Sequence, residues 1–215
     1  MTYRYDPPPG EPEVLHEDAA LLVVRKPEGL LSVPGKGEDK ADCLITRLQR
    51  RYARVLLVHR LDTDTSGVMV FARQSAAQVA LAGQFERRET EKTYVARVWG
   101  RVAGEAGTVD LPLIVDWPNR PRQHVNHETG RVAVTDWQVI ARGEDETRMR
   151  LCPRTGRSHQ LRVHMQALGH PILGDPLYAH AQAAAHPRLM LHAGALAFRH
   201  PETGARVAFS DPAPF

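Results

Sequence analysis

A chain of 215 residues, 42% of them hydrophobic, is expected to form one domain, or one domain with a modest appendage, around a sizeable core. Its longest apolar run, Ala19 to Val24, is far short of the roughly 18 residues of a membrane helix. Its proline-rich start lacks a signal-peptide core, and Cys43 and Cys152 have the spacing of neither a metal site nor a disulfide framework, so a soluble protein of the reducing cytoplasm, without membrane contact, is expected. The net charge of +3 is compatible with nucleic acid without pointing to it. Arginine greatly outnumbers lysine, whose only positions are Lys26, Lys36, Lys40 and Lys92. Arginine forks suit phosphates and base edges, and a GC-rich genome also favours arginine codons.

Taken in order, residues 1 to 13 read as an extended, loosely held arm, because Pro7, Pro8, Pro9 and Pro12 forbid regular structure. Leu21 to Arg25 predict a strand. Ala41 to Tyr52 predict a helix, with Leu44, Leu48 and Tyr52 on one face. Arg47, Arg50, Arg51 and Arg54 cluster near its end, where they suit either the helix dipole or a polyanion. Two strands follow, around the polar loop His59-Arg60-Leu61-Asp62-Thr63-Asp64-Thr65-Ser66-Gly67. Next comes a helix from about Ser75 to Arg88, capped by Ser75, with either Val79, Ala82 and Phe85 or Leu81 and Phe85 as its apolar face. Lys92 to Trp99 alternate as a strand, with Tyr94, Ala96 and Val98 on one side. Residues 108 to 131 are punctuated by proline. Their segment Asp116-Trp117-Pro118-Asn119-Arg120-Pro121-Arg122 suits a stiff recognition loop or a hairpin excursion with a partly exposed Trp. Ala133 to Ala141 and Thr147 to Leu151 predict two strands. A helix opens after Thr155-Gly156-Arg157, capped by Ser158 and stopped by Gly169 and Pro171. Residues 179 to 187 read as a short helix or loop, and Leu189 to Phe198 and Ala205 to Phe209 as the last strands. Many strands, three or four helices and no regular βα alternation predict an α+β fold.

Eleven histidines invite a metal, but His159 and His164 are five apart and share no helix face as an i, i+4 pair would. No phosphate loop, dinucleotide fingerprint or nucleophile elbow is present. What remains is a set of Asp62, Tyr94 and Arg162. A carboxylate that must stay ionised in a sheltered site needs a fixed cation, and arginine does not give up its proton. A tyrosine ring stacks on a nucleobase and still offers a hydroxyl. Such a set fits work on a base better than hydrolysis of an ester. Taken alone, an Asp in a loop, such as Asp62, is more often a turn or cap residue than a catalyst.

His59-Arg60-Leu61-Asp62-Thr63-Asp64-Thr65-Ser66-Gly67 resembles the first motif of the RluA family of pseudouridine synthases. Lys92-Thr93-Tyr94 resembles the second. Thr155-Gly156-Arg157-Ser158-His159-Gln160-Leu161-Arg162 and Leu173-Gly174-Asp175-Pro176-Leu177-Tyr178 resemble the third. Lys26-Pro27-Glu28-Gly29-Leu30 and Leu191-His192-Ala193 also fit, so the resemblance runs from about residue 15 to the end. Val98-Trp99-Gly100, Asp110-Leu111-Pro112-Leu113-Ile114 and the Trp117 loop resemble the small, dual-substrate members in particular. The resemblance implies a single catalytic domain over residues 14 to 215, with a central, mostly antiparallel mixed sheet, flanking helices and an RNA-binding cleft. It leaves no room for an S4-type domain before residue 14, and it implies no metal and no nucleotide or other cofactor.

By the same resemblance Asp62 is the nucleophile, Tyr94 packs on the target base and assists proton removal from C5, and Arg162 pairs with Asp62. Leu191 packs under the base. Arg157 and His159 are expected on the RNA side with Trp117, Arg120 and Arg122. Arg60, two residues before Asp62, either fills the space of a flipped uridine or holds its phosphate, or makes an ion pair within the domain. The implied partners are tRNA and large-subunit rRNA stem-loops, met by a monomer. Two alternatives stay open: a synthase for one of these RNAs only, and an RNA-binding or remodelling module without catalysis.

Overall fold

The computed structural model describes residues 5–215, so Met1 to Arg4, the first part of the expected arm, lie outside the described residues. In chain order the elements are β1 (Glu13–Glu17), β2 (Leu21–Lys26), α1 (Leu44–Arg51), β3 (Leu56–Leu57), β4 (Ser66–Ala72), α2 (Ser75–Glu86) and β5 (Glu91–Trp99). There follow β6 (Ala106–Asp110), β7 (Leu113–Val115), β8 (Gln123–Val125), β9 (Val134–Arg142), β10 (Glu146–Pro153), α3 (Gln160–Ala167), α4 (Ala181–Ala184), β11 (Leu191–Arg199) and β12 (Arg206–Ser210). Strands dominate and the helices do not alternate with them, which makes the fold α+β. Among the described residues no helix is long and apolar enough to cross a membrane. The chain gathers into two compact units. One runs up to Glu91 and takes in Ala193–Pro214; the other is Lys92–His192 with Phe215.

In the first unit the strand order is β1-β2-β4-β11, with β12 on β11 and β3 on β4. The β2–β4 register runs from Leu21 opposite Ala72 to Lys26 opposite Gly67. Every residue of β4 is buried, as a strand covered on both faces must be. Val68, Val70 and Ala72 pack with Leu21 and Val23 of β2, Leu196 and Phe198 of β11, and Ala77 and Leu81 of α2. The helix therefore turns inward along Ala77, Leu81 and Phe85, while Val79 is 73% exposed. Its N-cap is Gln74 rather than Ser75, which already has helical position. Leu44 and Leu48 of α1 are buried, as their spacing predicts, and so is Tyr52, which caps the helix in an extended conformation just past its end at Arg51. The helix begins at Leu44, three residues later than expected, because Cys43 is extended and takes the N-cap place.

From Tyr5 on, the described part of the arm is held more firmly than its prolines suggest. Tyr5 is buried, donates its hydroxyl hydrogen to the Asp42 carbonyl at 2.8 Å and accepts the Leu31 N–H at 3.1 Å. Arg47 donates to the Gly10 carbonyl at 2.8 Å and forks onto Asp42 at 2.9 and 2.6 Å. Prolines bring no N–H to satisfy, so a few side-chain bonds suffice to dock the segment. Arg47 is thus structural, whereas Arg50, Arg51 and Arg54 are exposed.

Asp18 ties the β1–β2 turn to distant chain. It accepts the N–H groups of Ala20 and Leu21 at 2.8 Å each, and meets His16 at 2.6 Å and His200 at 3.2 Å. Burial alone would push its carboxyl up; the bonds from His16, Leu21, Ala20 and His200 outweigh burial and hold it at about 2. A carboxyl depressed in the folded state stabilises fully above its unfolded value near 4, and that contribution is lost as pH falls toward 2. Allowing for its partial exposure, Asp18→Asn is expected to cost about 1–2 kcal/mol at pH 7. In urea unfolding the difference from wild type should shrink at pH 3; a gap unchanged between the two pH values would refute this linkage.

In the second unit β5, β10, β9 and β6 pair antiparallel in that order, and β7–β8 form a separate hairpin. Ala96 and Val98 of β5 join Met149 and Leu151 of β10, Leu161 and Met165 of α3, and Ile172, Leu173, Met190 and Leu191 in one core, with Tyr94 packed against it. The alternation read from the sequence places these β5 residues correctly. Helix α3 is capped by His159 rather than Ser158, because Ser158 falls inside the turn that precedes it.

Candidate active site

The Asp62 loop lies between β3 and β4 and is braced from beneath. Lys26, at the end of β2, is fully buried, and its ammonium donates to the carbonyls of Thr63 at 2.7 Å, Leu30 at 2.7 Å and Pro27 at 2.8 Å. A buried ammonium needs such acceptors to be tolerated. The Ser32 hydroxyl accepts the Leu61 N–H at 3.2 Å and donates to the Leu61 carbonyl at 2.7 Å. His59 stacks on Phe85 at 4.6 Å and accepts the Val70 N–H at 3.2 Å. The Thr65 N–H closes the turn onto the Asp62 carbonyl at 3.2 Å. Of the polar loop expected from His59 to Gly67, the last two residues, Ser66 and Gly67, already start β4. Gly67 has φ 120, and a Cβ there would meet the Ala193 carbonyl oxygen at 2.3 Å, so only glycine lets β4 approach β11 this closely. Within this frame Asp62 is half-buried and Arg60 is exposed.

In the second unit Arg162 sits in the first turn of α3, is 3% exposed and forks onto Asp175, Nε and Nη2 each at 2.7 Å from a carboxylate oxygen. Asp175 is fully buried, and its Oδ1 also accepts the N–H groups of Leu177 at 2.9 Å and Tyr178 at 3.1 Å. A bidentate pair with these extra donors fixes the plane of the guanidinium. Gly174, with φ 71, precedes Asp175, and a Cβ there would overlap the Arg188 carbonyl. Sequence alone gives Asp175 no role within its Leu173-to-Tyr178 motif, because a partner thirteen residues away in a separate segment leaves no periodic signal.

Around this pair two of the RNA-side candidates, His159 and Arg122, meet at Tyr178. His159 Nδ1 lies 2.7 Å from the tyrosine hydroxyl, and the Arg122 and Arg162 guanidinium groups lie 5.9 and 5.2 Å from its ring. Arg122 also donates to the Leu177 carbonyl. The Trp117 loop joins β7 to β8, closed by the Asp116 N–H on the Arg122 carbonyl at 2.9 Å, with Arg120-Pro121 in cis. At its tip Trp117 is 64% exposed, and Arg120 lies over its ring at 4.4 Å. It is a hairpin excursion that carries an exposed aromatic ring with a cation over it. Arg157 is half-buried and donates to the Val132 carbonyl at 3.1 Å. Tyr94 is half-buried against the core, and Leu191 is buried within it.

Two buried polar side chains support this region. Gln160 accepts from Thr155 Oγ1 at 2.6 Å and the Arg157 N–H at 3.0 Å, and donates to the Val134 carbonyl and Thr135 Oγ1 at 2.9 and 3.0 Å. His164 is fully buried between Thr135 Oγ1 at 2.9 Å and the Leu111 carbonyl at 3.0 Å. Burial pushes its imidazole below the ordinary value, and the Leu111 carbonyl offsets this in part. It is a satisfied core histidine. Among the described residues no three His, Cys, Asp or Glu side chains cluster as a metal-binding group.

Comparison with known proteins places these residues in context. Residues 20–167 match the family model for RNA pseudouridylate synthase. The chain is 54% identical over 204 residues to the dual-specificity RNA pseudouridine synthase RluA of Yersinia pestis, covering 94% of this chain and 99% of that one. It is 54% identical over 212 residues to the enzyme of that name from Escherichia coli K12, covering 97% of each chain. Among solved structures, human RNA pseudouridylate synthase domain containing 1 superposes with a TM-score of 0.81 at 28% identity over 97% of this chain and 87% of that one. Human RNA pseudouridylate synthase domain containing 4 gives 0.75 at 26% identity, over 94% and 88%. A non-catalytic RNA-binding module is thereby set aside. The chain belongs to the RNA pseudouridylate synthase family and is an isomerase that acts on RNA.

Proposed function

We propose that this synthase isomerises uridine in both a tRNA anticodon stem-loop and a hairpin loop of large-subunit rRNA, acting as a monomer in the cytoplasm. The observation that carries the substrate assignment is the near full-length identity with enzymes named for dual specificity. In the reaction the N1–C1′ bond breaks, the uracil turns, C5 bonds to C1′, the C5 proton leaves and the freed N1 takes up a proton. One proton is lost and one gained while every heavy atom of the base is kept, so the balance needs no external reagent. A stacked uracil has no room to turn and must first be flipped out, at roughly a few kcal/mol, less in a hairpin loop.

Asp62 takes the part of the nucleophile, at C1′ or C6, or of the base that removes a ribose proton. Its loop is braced so that the carboxylate does not wander. Tyr94 packs on the base and assists removal of the C5 proton, with Leu191 beneath the base. Arg162, its plane set by Asp175, supplies the fixed charge that keeps a carboxylate ionised. Arg60, Arg157 and His159 meet the RNA, with Trp117, Arg120 and Arg122 as a separate contact loop.

Tritium release from RNA labelled at uridine C5 tests the substrate assignment. Release from both a tRNA stem-loop and a large-subunit rRNA hairpin is expected, with the matching pseudouridines missing from a strain that lacks the protein. Release from only one class removes the dual assignment. For the loop, Trp117→Ala should weaken hairpin binding about tenfold, the scale of one lost aromatic–base stack. Arg120→Ala should lower the salt dependence of binding by about one phosphate contact. Unaltered affinity and salt slope would dismiss the loop as an RNA contact.

A further inference from the structure

Tyr178 joins parts of the second unit that lie far apart in sequence. Its ring is buried. Its hydroxyl accepts the Gln123 N–H at 2.8 Å and lies 2.7 Å from His159 Nδ1. Gln123 is the first residue of β8, directly after the Trp117 loop. His159 is the N-cap of α3 and has φ 53, a left-handed conformation in which Arg88 is the only other non-glycine residue among those described. A histidine stays in that region only where its surroundings hold it. On the backbone side, the Tyr178 and Leu177 N–H groups fix Asp175 Oδ1, and the Leu177 carbonyl accepts from Arg122.

We infer that Tyr178 is a positioning residue that couples the seating of RNA on the Trp117 loop to the setting of Arg162. This rests on the roles proposed above for that loop and that arginine. A shift of the loop moves Gln123, and with it the tyrosine hydroxyl that holds His159. The left-handed backbone at His159 then relaxes. The Val163 N–H, which bonds the His159 carbonyl at 3.0 Å, follows with the first turn of α3, the turn that carries Arg162. RNA pressed on the loop opposes this sequence and keeps the guanidinium in place. Each link is a hydrogen bond among buried or half-buried groups, where the loss of a partner is not made good by bulk water.

Tyr178→Phe removes one oxygen and keeps the ring. It should lower kcat/KM for a hairpin RNA about tenfold at temperatures well below its Tm. In the Trp117→Ala background the same change should cost about twofold or less, because there is no seated loop left to report. Equal losses in both backgrounds overturn the coupling while leaving the loop's role intact. Trp117→Ala with unchanged kcat/KM overturns the loop's role, and the coupling with it. A tyrosine that only supports the fold would lower Tm and leave kcat/KM of the folded enzyme unchanged, which also refutes the proposal. Hydrogen exchange on the wild-type protein needs no variant. A hairpin RNA should slow the Gln123 and Val163 amides together, and protection of Gln123 alone contradicts the coupling.

Discussion

Asp62→Asn should bind a hairpin RNA with near wild-type affinity and release no tritium from its uridines, a loss of roughly a thousandfold or more in turnover. The amide matches the carboxylate in size, so packing gives no reason for the fold to change. The turn closes on the backbone carbonyl of residue 62, which the substitution keeps, and the bonds from Lys26 and Ser32 go to Thr63 and Leu61. What changes is charge and nucleophilicity: an amide neither attacks carbon nor accepts a proton at neutral pH. Single-turnover kinetics at saturating RNA, with affinity measured separately, keep binding apart from chemistry. Turnover near wild type would sink the nucleophile assignment.

Asp175→Ala should be the most destabilising substitution in the second unit, at about 3–5 kcal/mol. It leaves a guanidinium that is 3% exposed without the carboxylate it forks onto, and also strips the acceptor from the Leu177 and Tyr178 N–H groups. Asp175→Asn keeps an acceptor oxygen and should cost less. Arg162→Lys keeps the charge but not the two-point fork, so it should lower kcat more than it lowers stability. Urea unfolding and kcat measured on the same variants separate the two roles. If Asp175→Ala unfolds at the wild-type urea midpoint, the pair does not hold the region together.

The strands and the motifs were legible along the chain because each is a local pattern. Tyr94, Ala96 and Val98 share a face simply because they alternate, and the core falls on that face. The α2 face was not settled this way. Two apolar stripes competed, and the position of β4 chose Ala77, Leu81 and Phe85. The caps were misplaced by one residue for a related reason. Ser75 and Ser158 are good caps by composition, but the turns before α2 and α3 place Gln74 and His159 at the boundary. The arm's prolines spoke only of irregular backbone; its docking depends on Tyr5 reaching Asp42 and Leu31 across the fold.

By itself the sequence determined the fold class and the family, since residue type and order are enough to specify these, and it singled out Asp62, Tyr94 and Arg162 as candidates for the chemistry. It did not determine who holds those residues. Asp175 for Arg162, Lys26 and Ser32 for the Asp62 loop, and Tyr178 for both His159 and Gln123 are partners separated by 13 to 55 residues. Such pairings leave no period to read. A buried charge or hydroxyl must be matched wherever the chain returns to it, and only the tertiary structure decides where that is.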